Sequence, residues 1–314
     1  MKLFQKRVLL ICAAILLFDC CARDAEPQEE PQPEISSVGR AEFVCKLSKP
    51  SGLGGGTQGL DIFGDYVVNC RNTGYGLVFR FDGRTVTYLG GFPLGSQNEN
   101  NHSNVASFGR KFFKEGDPLP VLYVSQAAKT TWNGYKDVLF VERIAPDFKS
   151  SELVQIIHYD DSDNDFGYAL QWVVDEKGEY LYGYGNTTRD SDTNGNRHRI
   201  VKFRLPPLDA HDKEGMVILK PSDALENYTI EDCGCSFATI GQGLYVWKER
   251  LYMPTGAGND KNPARLYVWN LRTRKMDVVE ELAYADMGEP EDISRWRDLF
   301  IISSSKGLYT ISIR

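Results

Sequence analysis

Helical periodicity is nearly absent from this chain of 314 residues. Apolar residues rarely recur at the three- and four-residue spacing of an amphipathic helix, which excludes helical bundles and alternating helix–strand folds. Long apolar runs are missing too. The longest, residues 8–18, suits a secretory leader and is too short to span a bilayer. Histidine is scarce, with four residues in all, and only Cys45, Cys70, Cys233 and Cys235 follow the leader. Cys233-Gly234-Cys235 has no second close Cys or His pair to complete a tetrahedral site, so loop thiols or one disulfide are expected rather than zinc. A basic stripe is lacking as well. The chain carries −7 overall, and the leader (Lys2, Lys6, Arg7, Asp19) holds a net +2, leaving −9 for the rest. That balance argues against a nucleic-acid partner.

The N-terminus is compositionally distinct. Basic residues, an apolar run and Asp19-Cys20-Cys21 resemble a bacterial lipoprotein leader, in which the first mature residue is a lipidated Cys. Cys21 is the favoured lipidation position and Cys20 the other; an ordinary cleaved signal peptide is the alternative. Residues 22–39 are rich in Pro, Glu and Gln and read as a flexible acidic tether. Residues 40–314 then form one domain, long enough for a large core.

That domain is dominated by short apolar or alternating runs between Gly, Asn, Asp and Pro clusters, the all-β signature. A phrase recurs along it. Its best copies are Gln58-Gly59-Leu60-Asp61-Ile62, Gln242-Gly243-Leu244-Tyr245-Val246 and Glu291-Asp292-Ile293-Ser294, each followed by a turn and an apolar strand. Looser copies begin near His102 and Tyr168. Such self-similarity predicts a repeat architecture. Four strands per repeat are legible, with third strands at 77–81, 138–141, 200–203, 265–268 and 308–311. Expected outer strands lie at 85–89, 153–159, 216–220 and 276–281. The fifth repeat ends after its third strand, and residues 41–47 can supply the fourth. The expectation is therefore a five-bladed β-propeller closed by its N-terminal strand, because an open blade would expose an unpaired edge. Six blades are the alternative. The blades fall near 57–94, 98–160, 165–226, 236–282, and 288–314 with 41–48.

In this strand order, one face carries tight charged hairpin turns and the other carries longer loops rich in Gly, Asn and aromatics. The ligand site is expected on the long-loop face, at the mouth of the central channel. The residues opening each inner strand are polar: Gln58 and Asp61, His102 and Asn104, Tyr168 and Gln171, Gln242 and Tyr245, Glu291 and Asp292. They are the candidate binding ring; the alternative is a channel whose side chains bond only to water. Trp132 and Tyr135 could stack on a sugar or pack on a neighbouring blade.

Three chemistries follow from these residues. Asp61 with Glu291, in neighbouring blades, could form the paired carboxylates of a glycoside hydrolase, although blades two to four offer no acids at equivalent positions. Asp190, Asp192 and Asn194, followed by Gly195, match the first half of a calcium loop, but Val201 stands where the bidentate Glu is needed. His102 with Tyr168 could act as base and acid in a lyase. The leader, the tether and the repeated phrases together resemble β-propeller lipoproteins of Bacteroidota, loosely grouped with TolB-like and NHL-like propellers. This resemblance implies a lipid-anchored propeller of the outer membrane and no particular ligand; the polar ring and the long loops lead to the expectation of a monomer that binds a glycan, peptide or protein partner at the channel mouth. Catalysis by a carbohydrate-active enzyme is the alternative.

Overall fold

The computed structural model describes residues 32–48, 50, 53–97, 101–126, 132–160, 169–186, 198–230 and 241–314. Ile35–Arg314 form one compact unit. Its strands make five small sheets, the five blades of a β-propeller. The inner strands are Thr57–Phe63, Val105–Phe108, Ala169–Val174, Tyr245–Trp247 and Pro290–Trp296. Within each blade the chain winds outward through antiparallel neighbours. Each strand alternates apolar side chains between its two faces, so each blade buries both faces against its neighbours. Five apolar clusters result among the described residues, one at each blade–blade interface. The cluster that closes the ring packs Leu60, Val67 and Phe79 of blade one against Trp296, Ile301 and Leu308 of blade five. Each such side chain contributes about 1.5–3 kcal/mol on burial.

Closure follows the expected route. Glu42–Cys45 adds as the outer strand of blade five, antiparallel to Gly307–Ile311, with Phe43 opposite Tyr309. Backbone pairing begins before this strand. Ser36 and Ser37 donate to the Arg314 carbonyl, and Gly39 donates to that of Ser312 at 2.8 Å. The two ends of this unit are thereby held in one ladder.

One outer strand departs from the expected assignment. Met216–Leu219 does not complete blade three; it runs parallel to Ser151–Tyr159 and becomes a fifth strand of blade two. The fourth strand of blade three is Glu226–Thr229, paired with His198–Arg204. The apolar Met-Val-Ile-Leu run reads as the better strand, whereas Glu-Asn-Tyr-Thr is short and polar. A connection long enough to reach back uses the apolar run to cover the neighbouring blade's edge. Gln155 of blade two fastens it by donating to the Pro207 carbonyl at 2.7 Å.

Candidate functional site: a polar mouth above a buried axial hub

The repeated phrase brings its residues together at two levels. The deeper is the propeller axis. Asp292 is fully buried, and its carboxylate accepts backbone N–H groups from three other blades and from its own. Leu60 donates at 2.7 Å, Ala106 at 3.1 Å, Leu244 at 3.1 Å and Ile293 at 2.9 Å. Backbones must converge closely to share one side chain, which explains the glycines in two copies. A Cβ on Gly243 would overlap Asp292 Oδ1, and one on Gly59 would lie 2.7 Å from the Ala106 nitrogen. Burial pushes the Asp292 carboxyl well above its usual range, and its backbone donors pull the other way.

Asp61 is buried one residue past Leu60 on the inner strand of blade one. It accepts from the backbone of Phe108 at 2.5 Å and of Ile62 at 2.7 Å, and from the Ser294 hydroxyl. Burial raises it to about 6, against hydrogen bonds that lower it. Serines continue the ring: Ser107 accepts from Val174 N at 3.1 Å and Ser125 from Trp172 N at 3.2 Å. These side chains tie inner strands of neighbouring blades together, where few backbone bonds cross, such as Gly59 N to the Ser103 carbonyl at 2.9 Å and the Asp175–Val246 bridge.

The upper level is the mouth on the long-loop face. Here Gln58 donates to Glu291 at 3.0 Å, and Gln242 donates to Glu289 at 2.9 Å and to the Gly256 carbonyl at 3.0 Å. Gln171 reaches the Gln242 carbonyl at 2.6 Å. Both partners of the Gln58–Glu291 bond sit in register shifts, between Thr57 and Leu60 and between Pro290 and Asp292. Such bulges re-aim a side chain, and here they turn Glu291 away from the axis that Asp292 occupies. Arg71, paired in register with Thr57, donates to Thr57 Oγ1 at 2.9 Å, to Asn69 Oδ1 at 3.2 Å and to the Gly55 carbonyl. Its Nε is buried without a hydrogen-bond partner.

Glu291 and Arg71 line an open cavity of about 600 Å³ between blades one and five, with Thr57, Ser304, Lys306 and Phe43. Burial, and secondarily the charge of Glu289, raise Glu291 to about 8, while Arg71 opposes the shift. The Glu291 side chain is therefore largely protonated at neutral pH and can both donate and accept. The wall joins a carboxyl, a guanidinium and hydroxyls to an exposed ring, Phe43, which is 53% exposed and stands edge-on to Tyr309 at 5.4 Å.

The remaining expected positions divide. Asp61 and Glu291 do not meet: Asp61 pairs with Ser294, three residues deeper along the strand than the Gln58–Glu291 level, roughly 10 Å at the rise of an extended chain. His102 is exposed on a loop, and Asn104 is half-buried with its Oδ1 lacking a hydrogen-bond partner. Trp132 packs edge-on to Phe140 at 5.7 Å, against the core between blades one and two. Tyr135 stands against His158 at 4.8 Å. Tyr245 lies edge-on to Phe300 at 6.3 Å. Cys45 and Cys70 are free thiols, and burial pushes both upward. Tyr168, the calcium-loop residues Asp190, Asp192 and Asn194, the pair Cys233 and Cys235, and the lipidation positions Cys20 and Cys21 lie outside the described residues. Among the described residues no His, Cys, Asp and Glu group is arranged to hold a metal. Arg71 was not among the expected residues. Its signal was available: a charged residue closing an otherwise apolar strand, in the position that pairs with Thr57 at the start of the first phrase.

No protein-family model matches the chain, and no curated protein matches it. Similar solved structures include glutaminyl cyclase of Myxococcus xanthus, at 8% identity over 88% of this chain and 97% of that one, with a TM-score of 0.49. YCF48 bound to D1 peptide matches at 10% identity over 85% of this chain and 66% of that one, with a TM-score of 0.37. The computationally designed Ika8 protein matches at 11% identity over 82% of this chain, with a TM-score of 0.32; the chain spans 58% of its length. The five-bladed ring itself is carried by this chain's own sheet topology.

Proposed function

We propose that this protein is a binding propeller that holds a glycan at its mouth, in the cavity between blades one and five. The observation that carries this reading is Glu291, held from behind by Gln58, beside Arg71 in the wall of a cavity of about 600 Å³. Sugar hydroxyls are donors and acceptors at once, and a neutral carboxyl, hydroxyls and a guanidinium offer both in a small area. Phe43 at the rim supplies an apolar surface for the C–H face of a pyranose. The leader and the tether support placing the protein on the outer membrane through lipidated Cys21, alongside the propeller lipoproteins of Bacteroidota. Non-covalent binding is favoured over hydrolysis because Asp61, the second carboxylate that hydrolysis would use, has both oxygens engaged in holding strands together.

Titration of glycans selected on an array, measured by calorimetry, tests the reading. Arg71→Ala and Glu291→Ala are each expected to weaken binding about tenfold, the loss of a charge-assisted hydrogen bond at Arg71 and of a carboxyl that both donates and accepts at Glu291. Array and peptide-pool screens that yield no glycan, or a glycan bound equally well by both variants, would overturn it.

A further inference from the structure

On the face opposite the mouth, blade two departs from its neighbours. Blades one, four and five join their inner and second strands by two-residue turns, Gly64-Asp65, Lys248-Glu249 and Arg297-Asp298. Blade two uses residues 109–121. The base of this loop is held firmly: Gly109 donates to the Val121 carbonyl at 2.9 Å, and Val121 donates to that of Lys111 at 3.0 Å. Asp117 clamps the far side. It accepts from Lys114 N at 2.9 Å and forms a two-pronged ion pair with Arg143, at 2.9 and 2.7 Å.

The tip is a run of seven exposed residues, Arg110-Lys111-Phe112-Phe113-Lys114-Glu115-Gly116. Phe112 is 47% and Phe113 37% exposed, and Phe112 is propped edge-on against Phe63 at 5.9 Å. Three cations and one acid give this tip a net positive charge on a chain of −7. The nearby acids are engaged: Glu152 faces Lys114 and Arg143 at 3.4 Å each, and Glu176 accepts from Lys248 N at 2.9 Å. Arg110 is fixed by donating to the Glu176 carbonyl.

We infer that this loop is a docking element for an anionic bilayer surface, its two phenyl groups entering the acyl boundary while Lys111 and Lys114 meet lipid phosphates. Paired exposed aromatics flanked by Lys and Arg fit the interface between headgroups and acyl chains, where apolar area and charge both contribute. The loop is ordered from within, so docking it costs little conformational entropy. A protein partner fits less well. A phenylalanine buries at most about 150–250 Å², and about half of each ring is already covered, far from the roughly 800 Å² per partner of a stable interface. Docking by this face would direct the mouth away from the membrane.

The test uses Ile35–Arg314, the compact unit, because the leader's own apolar run would bind lipid. Co-sedimentation is measured with vesicles of phosphatidylcholine alone and of phosphatidylcholine with phosphatidylglycerol. Binding is expected to the anionic vesicles only and to fall with added salt. The double variants Phe112→Ser/Phe113→Ser and Lys111→Glu/Lys114→Glu are each expected to lose at least tenfold in partition. Val279→Ser, which removes an equally exposed apolar side chain elsewhere, is expected to change nothing. Failure to bind anionic vesicles, the result a protein-docking loop would give, overturns the inference. So does equal binding to both vesicle types, or undiminished binding by a Phe double variant that melts like the parent.

Discussion

Asp292 and Glu291 are adjacent in sequence and open the same copy of the same phrase, yet they occupy different environments. Asp292 points to the axis, where four backbone N–H groups from four blades bind its carboxylate. Glu291, turned aside by a register shift, accepts one amide from Gln58 and lines an open cavity. The phrase thus has two jobs split between neighbouring residues. The polar residue at the axis adds to the sparse backbone pairing between blades, and the polar residue at the mouth remains available for chemistry. A buried acid in a repeat is in this case a joint of the scaffold, and its raised pKa alone would not have distinguished it from a site.

The largest effect is expected at the axis. Asp292→Ala strands four buried N–H groups and should destabilise the protein by about 3–5 kcal/mol in urea unfolding, by analogy with breaking a buried charge network. Glu291→Ala leaves one amide beside an open cavity and should cost less than about 1 kcal/mol. Equal costs would erase the distinction between the two levels.

A smaller effect is expected from the glycines. Gly243→Ala forces a methyl onto the Asp292 carboxylate and should cost about 1–3 kcal/mol, the usual range for overpacking. Gly54→Ala, in the loop leading to the mouth, meets nothing within 4 Å and should be close to neutral. A tolerated Gly243→Ala would show that the axis can relax, and close approach would no longer explain the phrase.

The smallest effect separates the two levels by pH. Asp61 is raised from an ordinary 3.8 to about 6, and Glu291 from 4.5 to about 8, each mainly by burial. A carboxyl raised in the folded state binds its proton more tightly there than in the unfolded chain. Its contribution to stability is complete below the unfolded value and is lost as pH rises through the folded one. Stability should therefore decline between about pH 4 and 6 through Asp61, and between about 4.5 and 8 through Glu291. Glu291→Gln should remove the decline between pH 6 and 8, on the order of 1–2 kcal/mol, while leaving the lower limb. Urea midpoints at pH 4.5, 6 and 8 measure this. An unchanged upper limb in Glu291→Gln would mean that the mouth acid is not held protonated by its surroundings.

Much of the architecture was legible beforehand. Alternating runs such as residues 77–81 and turns such as Phe63-Gly64-Asp65 announce strands and hairpins locally. The want of a fourth strand after residue 311 pointed to 41–47 as its source. The misassigned segment shows where local reading stops. Met216–Leu219 is a strand, as its composition says, but the blade it joins depends on how far the preceding connection reaches. The candidate site was legible in part. Gln58, Gln242 and Glu291 do gather at the mouth, whereas Arg71 belongs to a second strand, outside the repeated phrase.

By itself the sequence determined the number of blades, most strands of each repeat and the need for closure, because side-chain alternation and turn chemistry act over a few neighbouring residues. The tertiary structure alone decided which polar residue of each phrase becomes a joint and which faces the cavity. That choice depends on backbones from four blades converging on one carboxylate, and on a bulge that turns the next residue outward, neither of which exists until the ring has closed.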